Sequence, residues 1–485
     1  MKNKRREFEL AAVIDIGSRA VRMDILELAP GERPVLLECL EREVDLGREV
    51  FRTGEVSPGG IAMLCGIMAD CRRKLDEYPR LEVRASADGA LREAANARLV
   101  AERMFQAGGI MPELPGAAEV CRRFASAVRK ALPTAFRRAV AVHVGAWSVH
   151  VLGFADGAMC FCEELPIGGD RLPEDMAHAE FDRVFADLLA ASGVARRLEA
   201  ALGGGGPDAV IAAGNGARRI AGIDDAADAV REFSGAGFRA AAGAAGPARS
   251  AAEAAGVVNY LIDVGGADRV LVPGFTSRNL ILEHSEENDD GIFAADLAAT
   301  ATALSRRFGC DAGFAERMAR AAAALWKKLR PRHAMPERSL PLLDAAARLY
   351  AVGNCFDGYD SGDRSAFIIG NLLLPGVSDA ERRLVAATVR FARSGGVTFP
   401  AEVSGVLPEQ QPTLFRLAAL LRLAAALSID PGDKFSGMHL NISGGELAIS
   451  SAAAANGAER AALARGAELF MRVFGLEPRF GEVSL

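Results

Sequence analysis

Residues 11–28 read AAVIDIGSRAVRMDILEL. Ala11 to Ile16 is apolar except for Asp15, the pattern of a strand buried on both faces. Gly17-Ser18 supplies a turn. Val21, Met23 and Ile25 then alternate with Arg22 and Asp24, which predicts a half-buried return strand. An acid at a strand end followed by Gly-Ser suits a phosphate and its metal. The backbone N–H groups of Gly17 and Ser18, with the Ser18 hydroxyl, can form an anion nest. Asp15 can hold Mg²⁺ directly or through water. The same residues also suit a plain hairpin turn, so the rest of the chain has to decide.

The bulk properties narrow the choice. A chain of 485 residues is too long for one core and calls for about three or four domains. Half of it is hydrophobic and a quarter charged, an ordinary globular balance. The net charge of −6 argues against a general nucleic-acid binder. The most apolar long stretch, Leu414–Leu427, is interrupted by Arg416 and Arg422, so no membrane span is expected. The start, MKNKRREFEL, has charge but no apolar region of the signal-peptide kind. Eight cysteines without a CxxC pair point to a reduced, cytoplasmic protein. Cys160 and Cys162 share one face of a strand and read as packing.

The hairpin opens a pattern that occurs twice. A third strand near Val35–Val44 follows, then a helix capped by Ser57-Pro58. Residues 81–97 read as a strand entering a helix, and Gly108-Gly109 closes the next helix. A short strand near residue 112 and a helix from about Ala117 give the order β-β-β-α-β-α-β-α. Residues 137–165 restart it with three strands turning at Gly145 and at Asp156-Gly157. A helix near Asp175–Ala191, a glycine loop at 203–206 and a strand–glycine turn–helix at 207–223 follow. An Ala/Gly-rich helical region then ends near Gly266, before a last strand and turn at 267–283. Such a duplication predicts two α/β halves with a cleft between them.

From about Asp289 the periodicity is helical, with apolar faces every 3.6 residues. A hairpin at MHLNISGGELAISS and a helix over about Ala458–Phe474 end the chain. The expected domains are 1–130 and 131–285, both α/β, and a helical domain over 286–485.

The order of motifs resembles the exopolyphosphatase and guanosine pentaphosphate phosphatase (Ppx/GppA) family. DIGSRA keeps Asp15, Gly17 and Ser18 of that family's first phosphate loop. LEREVDLGREVFRTGEVSPGGI, ALREAANA (with Arg92, Glu93 and Asn96) and VLVPGFTSRNLIL resemble three later segments. The resemblance implies two actin-like (ribonuclease H-like) α/β domains and a C-terminal all-α domain similar to HD phosphohydrolases. It implies hydrolysis of the terminal phosphoanhydride of polyphosphate or of guanosine pentaphosphate, with Mg²⁺ at Asp15. Polyphosphate or guanosine penta- and tetraphosphate would be the partners, without nucleic acid or membrane, in a chain whose relatives are often dimers. Phosphate would meet Gly17, Ser18, Arg19, Arg92, Gly145, Ser148, Gly214, Asn215 and Gly216. Arg22 is a further candidate to neutralise charge. Arg92 also suits a plain helix salt bridge.

The chain departs from the family where chemistry is at stake. HVGAWS stands where the second phosphate loop has Asp-Ile-Gly-Gly-Gly-Ser, so His143 replaces the acid and Trp147 a glycine. PGAAEV places Ala118 at the catalytic glutamate, with Glu119 one residue on as the only substitute. Phe314, Tyr350, Ala351, Ala392, Ala425 and Ser428 lie at or beside positions where the helical domain would hold metal, and they are poor ligands. Ile262–Gly266 mimics a phosphate loop but ends a helical pattern, the wrong context. The expectation is therefore weak or absent hydrolysis. The alternative is a catalytically dead module that senses polyphosphate or guanosine polyphosphates, or pairs with a protein.

Overall fold

The computed structural model describes residues 9–29, 34–78, 80–132, 136–173, 176, 178–223, 229–246, 248–282, 290–356, 361–394, 399–400, 403–451 and 454–481. The chain forms two compact units, Met1–Gly157 with Phe161–Glu287, and Ala158–Cys160 with Asn288–Leu485. The first unit begins with β1 (Glu9–Ile16), β2 (Ala20–Leu28) and β3 (Val35–Glu43). Then come α1 (Leu46–Thr53), α2 (Pro58–Leu75), β4 (Leu81–Ala87), α3 (Ala90–Glu93), α4 (Ala97–Gly108) and α5 (Ala117–Ala131). Its later part holds β5 (Arg138–Val144), β6 (Val149–Ala155), β7 (Ala158–Leu165), α6 (His178–Ser192), α7 (Val194–Ala201), β8 (Ala209–Ala213) and α8 (Asn215–Ala221). It closes with β9 (Val230–Ser234), α9 (Gly235–Ala244), α10 (Arg249–Gly265), β10 (Arg269–Pro273) and α11 (Ser277–Leu282).

Two sheets carry the duplication. One has the order β3-β2-β1-β4, the other β7-β6-β5-β8-β10-β9. In each, the leading strand pairs antiparallel with the next and parallel with the strand that returns after the helices: β1 with β2 and β4, β5 with β6 and β8. A meander followed by a parallel crossover is the ribonuclease H-like arrangement, present twice as the motif order implied. The apolar run of β1 is buried because both faces of the strand are covered: Ala12, Ile14 and Ile16 lie in one core, and Val13 packs with Ile281 of α11. Ser57 caps α2 as expected, its side chain accepting from the Gly60 N–H, with Pro58 in the first turn.

Several local expectations are corrected. No strand forms between α4 and α5; only an isolated bridge joins Ser86 to Glu113. The short helix α1 was not foreseen. Leu46, Gly47 and Val50 form its buried face, and the Gly47 N–H donates to the Ser18 carbonyl, so tertiary contact fixes it. β9 interrupts the region expected to be wholly helical. It is a largely exposed edge strand that depends on its pairing with β10. Residues 277–282, read as a turn, form α11. The expected start of the helix near Asp175–Ala191 and the expected junction at 285/286 lie outside the described residues.

The second unit holds α12 (Asp290–Arg307), α13 (Ala312–Leu329), α14 (Ser339–Arg348), α15 (Ser361–Gly370), α16 (Asp379–Arg393) and α17 (Gln411–Leu427). β11 (His439–Ser443), β12 (Glu446–Ser450), α18 (Gly457–Phe474) and β13 (Glu477–Phe480) complete it. β13, which the sequence did not suggest, pairs parallel with β12. Leu414, Leu417, Leu420, Leu421, Leu423 and Leu427 of α17 are all buried, beside Trp326 of α13. Their apolar run reflects a helix at the centre of a core. Among the described residues no helix is long and apolar enough to cross a membrane.

Candidate functional site

The two halves of the first unit present equivalent turns. Gly17 N–H donates to the Ala20 carbonyl at 2.9 Å, and Gly145 N–H to the Ser148 carbonyl at 3.0 Å. Asp15 faces Arg22 across one hairpin, and His143 faces His150 across the other. In this correspondence Arg19 matches Trp147. One part of the expected anion nest is corrected here. The Gly17 and Gly145 N–H groups close their own turns and are not available to a phosphate.

Asp15 accepts a hydrogen bond from the Ser277 hydroxyl at the start of α11, which packs on β1. Burial pushes its carboxyl up to about 6; Ser277 and Arg22 oppose the shift, and the nearby Asp88 and Asp24 add to it. Asp24 is itself buried and held by Arg22 at 3.0 Å and Arg278 at 3.1 Å. Among the described residues no three His, Cys, Asp or Glu side chains are grouped to hold a metal. Mg²⁺ needs less, since one or two carboxylates suffice when water and substrate phosphate complete its shell. Asp15, with other carboxylates near it, fits that modest requirement.

Asp88 is the acid that sequence reasoning missed. It follows β4, whose end lies beside the end of β1, accepts from the Gly89 N–H at 2.7 Å and pairs with Arg92 at 3.0 Å. The signal was present: SADGAL repeats the Asp15 pattern of a strand-end acid close to a glycine. Arg92 reaches both Asp88 and Glu164 of β7, so it joins the two halves. Ser18 is buried, and its hydroxyl accepts from the Ala90 N–H at 3.2 Å.

Arg19 does not project freely. Its guanidinium binds Asp170 at 2.6 Å and Glu253 at 2.8 Å, both buried carboxylates of the other half. Burial alone would favour neutral Arg19, yet the two acids overcome it and raise its pKa above the ordinary value. Gly168-Gly169 makes the approach possible. A side chain on Gly168 would strike the Ala146 carbonyl, and one on Gly169 would strike Glu253. Trp147 makes the opposite crossing. It is 4 % exposed and belongs to the apolar core of the first half. It lies against Gly89, next to Ser18, with the Arg171 guanidinium 3.9 Å over its ring. Arg171 also pairs with Glu93 at 2.6 Å.

The remaining candidates are dispersed around this centre. Burial and His150 lower the His143 pKa to about 4, with Asp88 opposing, so the ring is neutral at pH 7. It packs edge-on against Phe124 at 5.7 Å. Glu119 sits in the first turn of α5 with both carboxylate oxygens taken by Arg122 and Arg123. Burial would raise its pKa, but the two arginines hold it at about 2. Ala118 beside it is buried. Gly214, at φ 106°, brings the turn before α8 against the Val144 carbonyl, so this loop adjoins the Gly145 turn. Gly216 has a packing role, since a side chain there would strike the Ser250 carbonyl of α10. Asn215 is exposed at the start of α8. Ser148 is buried. Ile262–Gly265 is the C-terminal end of α10, followed by Gly266 in the left-handed conformation, not a phosphate loop.

Comparison with known proteins agrees with the motif order. Residues 298–446 match the family model described as Ppx/GppA phosphatase, domain III. A guanosine-5'-triphosphate,3'-diphosphate pyrophosphatase of Aeromonas hydrophila is 31% identical over 129 residues, 26% of each chain. One from Aliivibrio fischeri is 26% identical over 155 residues, 31% of each chain. The chain thus matches only about a quarter to a third of the length of these relatives. Among solved structures, an Aquifex aeolicus Ppx/GppA family member has a TM-score of 0.47 at 19% identity, over 57% of this chain and 97% of that one. An exopolyphosphatase from Cytophaga hutchinsonii has a TM-score of 0.47 at 18% identity, over 56% and 96%. The domain III match and the pyrophosphatase relatives make this chain similar, over those parts, to the Ppx/GppA phosphatases.

Proposed function

We propose that this chain is a Ppx/GppA protein whose cleavage of phosphoanhydrides is far weaker than that of family members carrying both acids, and which still binds a polyanion of linked phosphates. Polyphosphate and guanosine pentaphosphate are the candidate ligands. The observation that carries this reading is Trp147, which fills the space beside Ser18 and Gly89. An indole there excludes the phosphate that a glycine would admit. Other groups point the same way. Glu119 is held by two arginines, and His143 is buried and neutral, within the influence of Asp88. Mg²⁺ at Asp15 would screen phosphate charge and polarise the bond to be cut. The chain's own part would be to hold the anion with Arg92.

Phosphate release from long-chain polyphosphate and from guanosine pentaphosphate with Mg²⁺ tests the reading. Loss of one preorganised charge-stabilising group typically costs about a hundred- to a thousandfold in rate. The natural chain should therefore fall at least about a hundredfold below a relative that keeps both acids. Combining His143→Asp, Ala118→Glu and Trp147→Gly should raise its rate. Brisk release by the natural chain, abolished in Asp15→Ala, would overturn the reading and make Glu119 the leading base. A binding module without catalysis is the companion reading. It is favoured by the committed state of Glu119, and polyphosphate binding without release would distinguish it.

A further inference from the structure

The two equivalent turns exchange their third residues. Arg19 leaves the first half and ends between Asp170 and Glu253 of the second. Trp147 leaves the second half and ends in the core of the first. We propose that this exchange is an autoinhibitory latch, which holds the cleft between the two α/β halves shut until a polyanion of linked phosphates takes Arg19 from its internal carboxylates. The choice of ligand rests on the proposed function; the latch itself does not.

Three features separate a latch from ordinary packing. First, the internal partners of Arg19 have the chemistry of the ligand: two buried carboxylates offer anionic oxygens to the guanidinium. They occupy the one cation of the DIGSRA loop, so anion binding there has to compete with them. Second, both insertions leave buried polar atoms unmatched. The Trp147 indole N–H and the Asp170 Oδ2 are buried without a hydrogen-bond partner among the described residues. Leaving such groups unmatched is costly, so the closed state is held with polar groups that an open state would hydrate. Third, the surrounding contacts are polar as well. Arg171 stacks on Trp147 and pairs with Glu93, and Arg92 bridges Asp88 and Glu164. The Arg171–Glu93 and Arg92–Glu164 ion pairs join the two halves, and phosphate oxygens can replace their carboxylates. An extended apolar interface would not respond to such a ligand.

The chain has two tryptophans, 147 and 326. Acrylamide quenching of the full-length protein, compared with Trp147→Phe to subtract Trp326, therefore reads the latch directly. In the natural chain without ligand, Trp147 should be shielded. Inorganic polyphosphate should expose it, while sulfate at equal ionic strength should not. Asp170→Asn with Glu253→Gln should expose Trp147 without ligand. It should also tighten polyphosphate binding by about tenfold or more, because the closed population no longer subtracts from affinity. Arg19→Lys retains charge but loses the fork that spans both acids. It should expose Trp147 partially, and it serves if the double variant fails to fold. A Trp147 that stays shielded in folded latch variants would overturn the latch, whatever the hydrolysis assay shows. Exposure in the variants together with unchanged polyphosphate affinity would overturn the competition between ligand and internal acids.

Discussion

Glu119 and His143 show how charge at single residues is settled by the groups packed around them. Arg122 and Arg123 depress Glu119 from the ordinary 4.5 to about 2. An acid with a depressed folded pKa stabilises the protein above its unfolded pKa and loses that contribution as pH falls. Glu119→Gln should thus cost on the order of 3 kcal/mol at pH 7, and less than about half of that at pH 3. Urea unfolding at both pH values checks this; an equal cost at both would show that the ion pairs are not responsible. The depressed His143 pKa acts in the same acidic direction. The unfolded chain takes its proton near 6.5 and the folded chain only near 4, so stability declines as pH drops between them. In a proton NMR titration the His143 ring should remain neutral at pH 5.5. Titration near 6.5 would mean that the ring is not enclosed as described.

Among the elements, the turn from β4 into α3 is crowded by residues of both halves. Gly89 has φ 63°, and a side chain there would come within 2.8 Å of the Ser18 hydroxyl and 3.2 Å of Trp147. Gly54, which ends α1 at φ 78°, has open space around the same position. Gly54→Ala should cost only the left-handed strain, about 1–2 kcal/mol. Gly89→Ala should cost more, because steric displacement of Ser18 and Trp147 adds to that strain. Thermal unfolding of the two variants in parallel measures the difference. A smaller cost at Gly89 would mean that Trp147 yields freely. The left-handed turns were legible as glycines in the sequence, but the crowding around Gly89 was not, since it depends on a residue from the other half.

For the whole molecule, the duplicated halves share one geometry and differ in the side chains at their turns. The paired hairpins and crossovers are the same in both sheets, yet Asp15 and Arg19 on one side correspond to His143 and Trp147 on the other. Repeating backbones tolerate such divergence because their strand pairing uses main-chain groups. The helical unit supports a separate expectation. Purified full-length protein should contain far less than one equivalent of iron, manganese or zinc, measured by elemental analysis. One equivalent that survives Asp15→Ala would place a metal site outside the first turn.

The sequence by itself determined most of the order of elements, the duplication and the helical periodicity after about residue 289. Hydrophobic periodicity and turn glycines are local signals, and they suffice for regular structure. It also raised the expectation that Ala118, His143 and Trp147 stand where the resemblance puts two acids and a glycine. Only the tertiary structure decided what the substitutes do instead. β9 and β13 exist because a neighbouring strand pairs with them, and α1 because its first turn bonds to the Ser18 carbonyl. Asp88 gains its importance from a parallel strand that brings it beside Asp15. Arg19, which looked free to bind phosphate, is held by Asp170 and Glu253, far away in the chain. Charge pairing and steric closure act through space, and no local pattern of residues encodes which distant carboxylate will meet a given arginine.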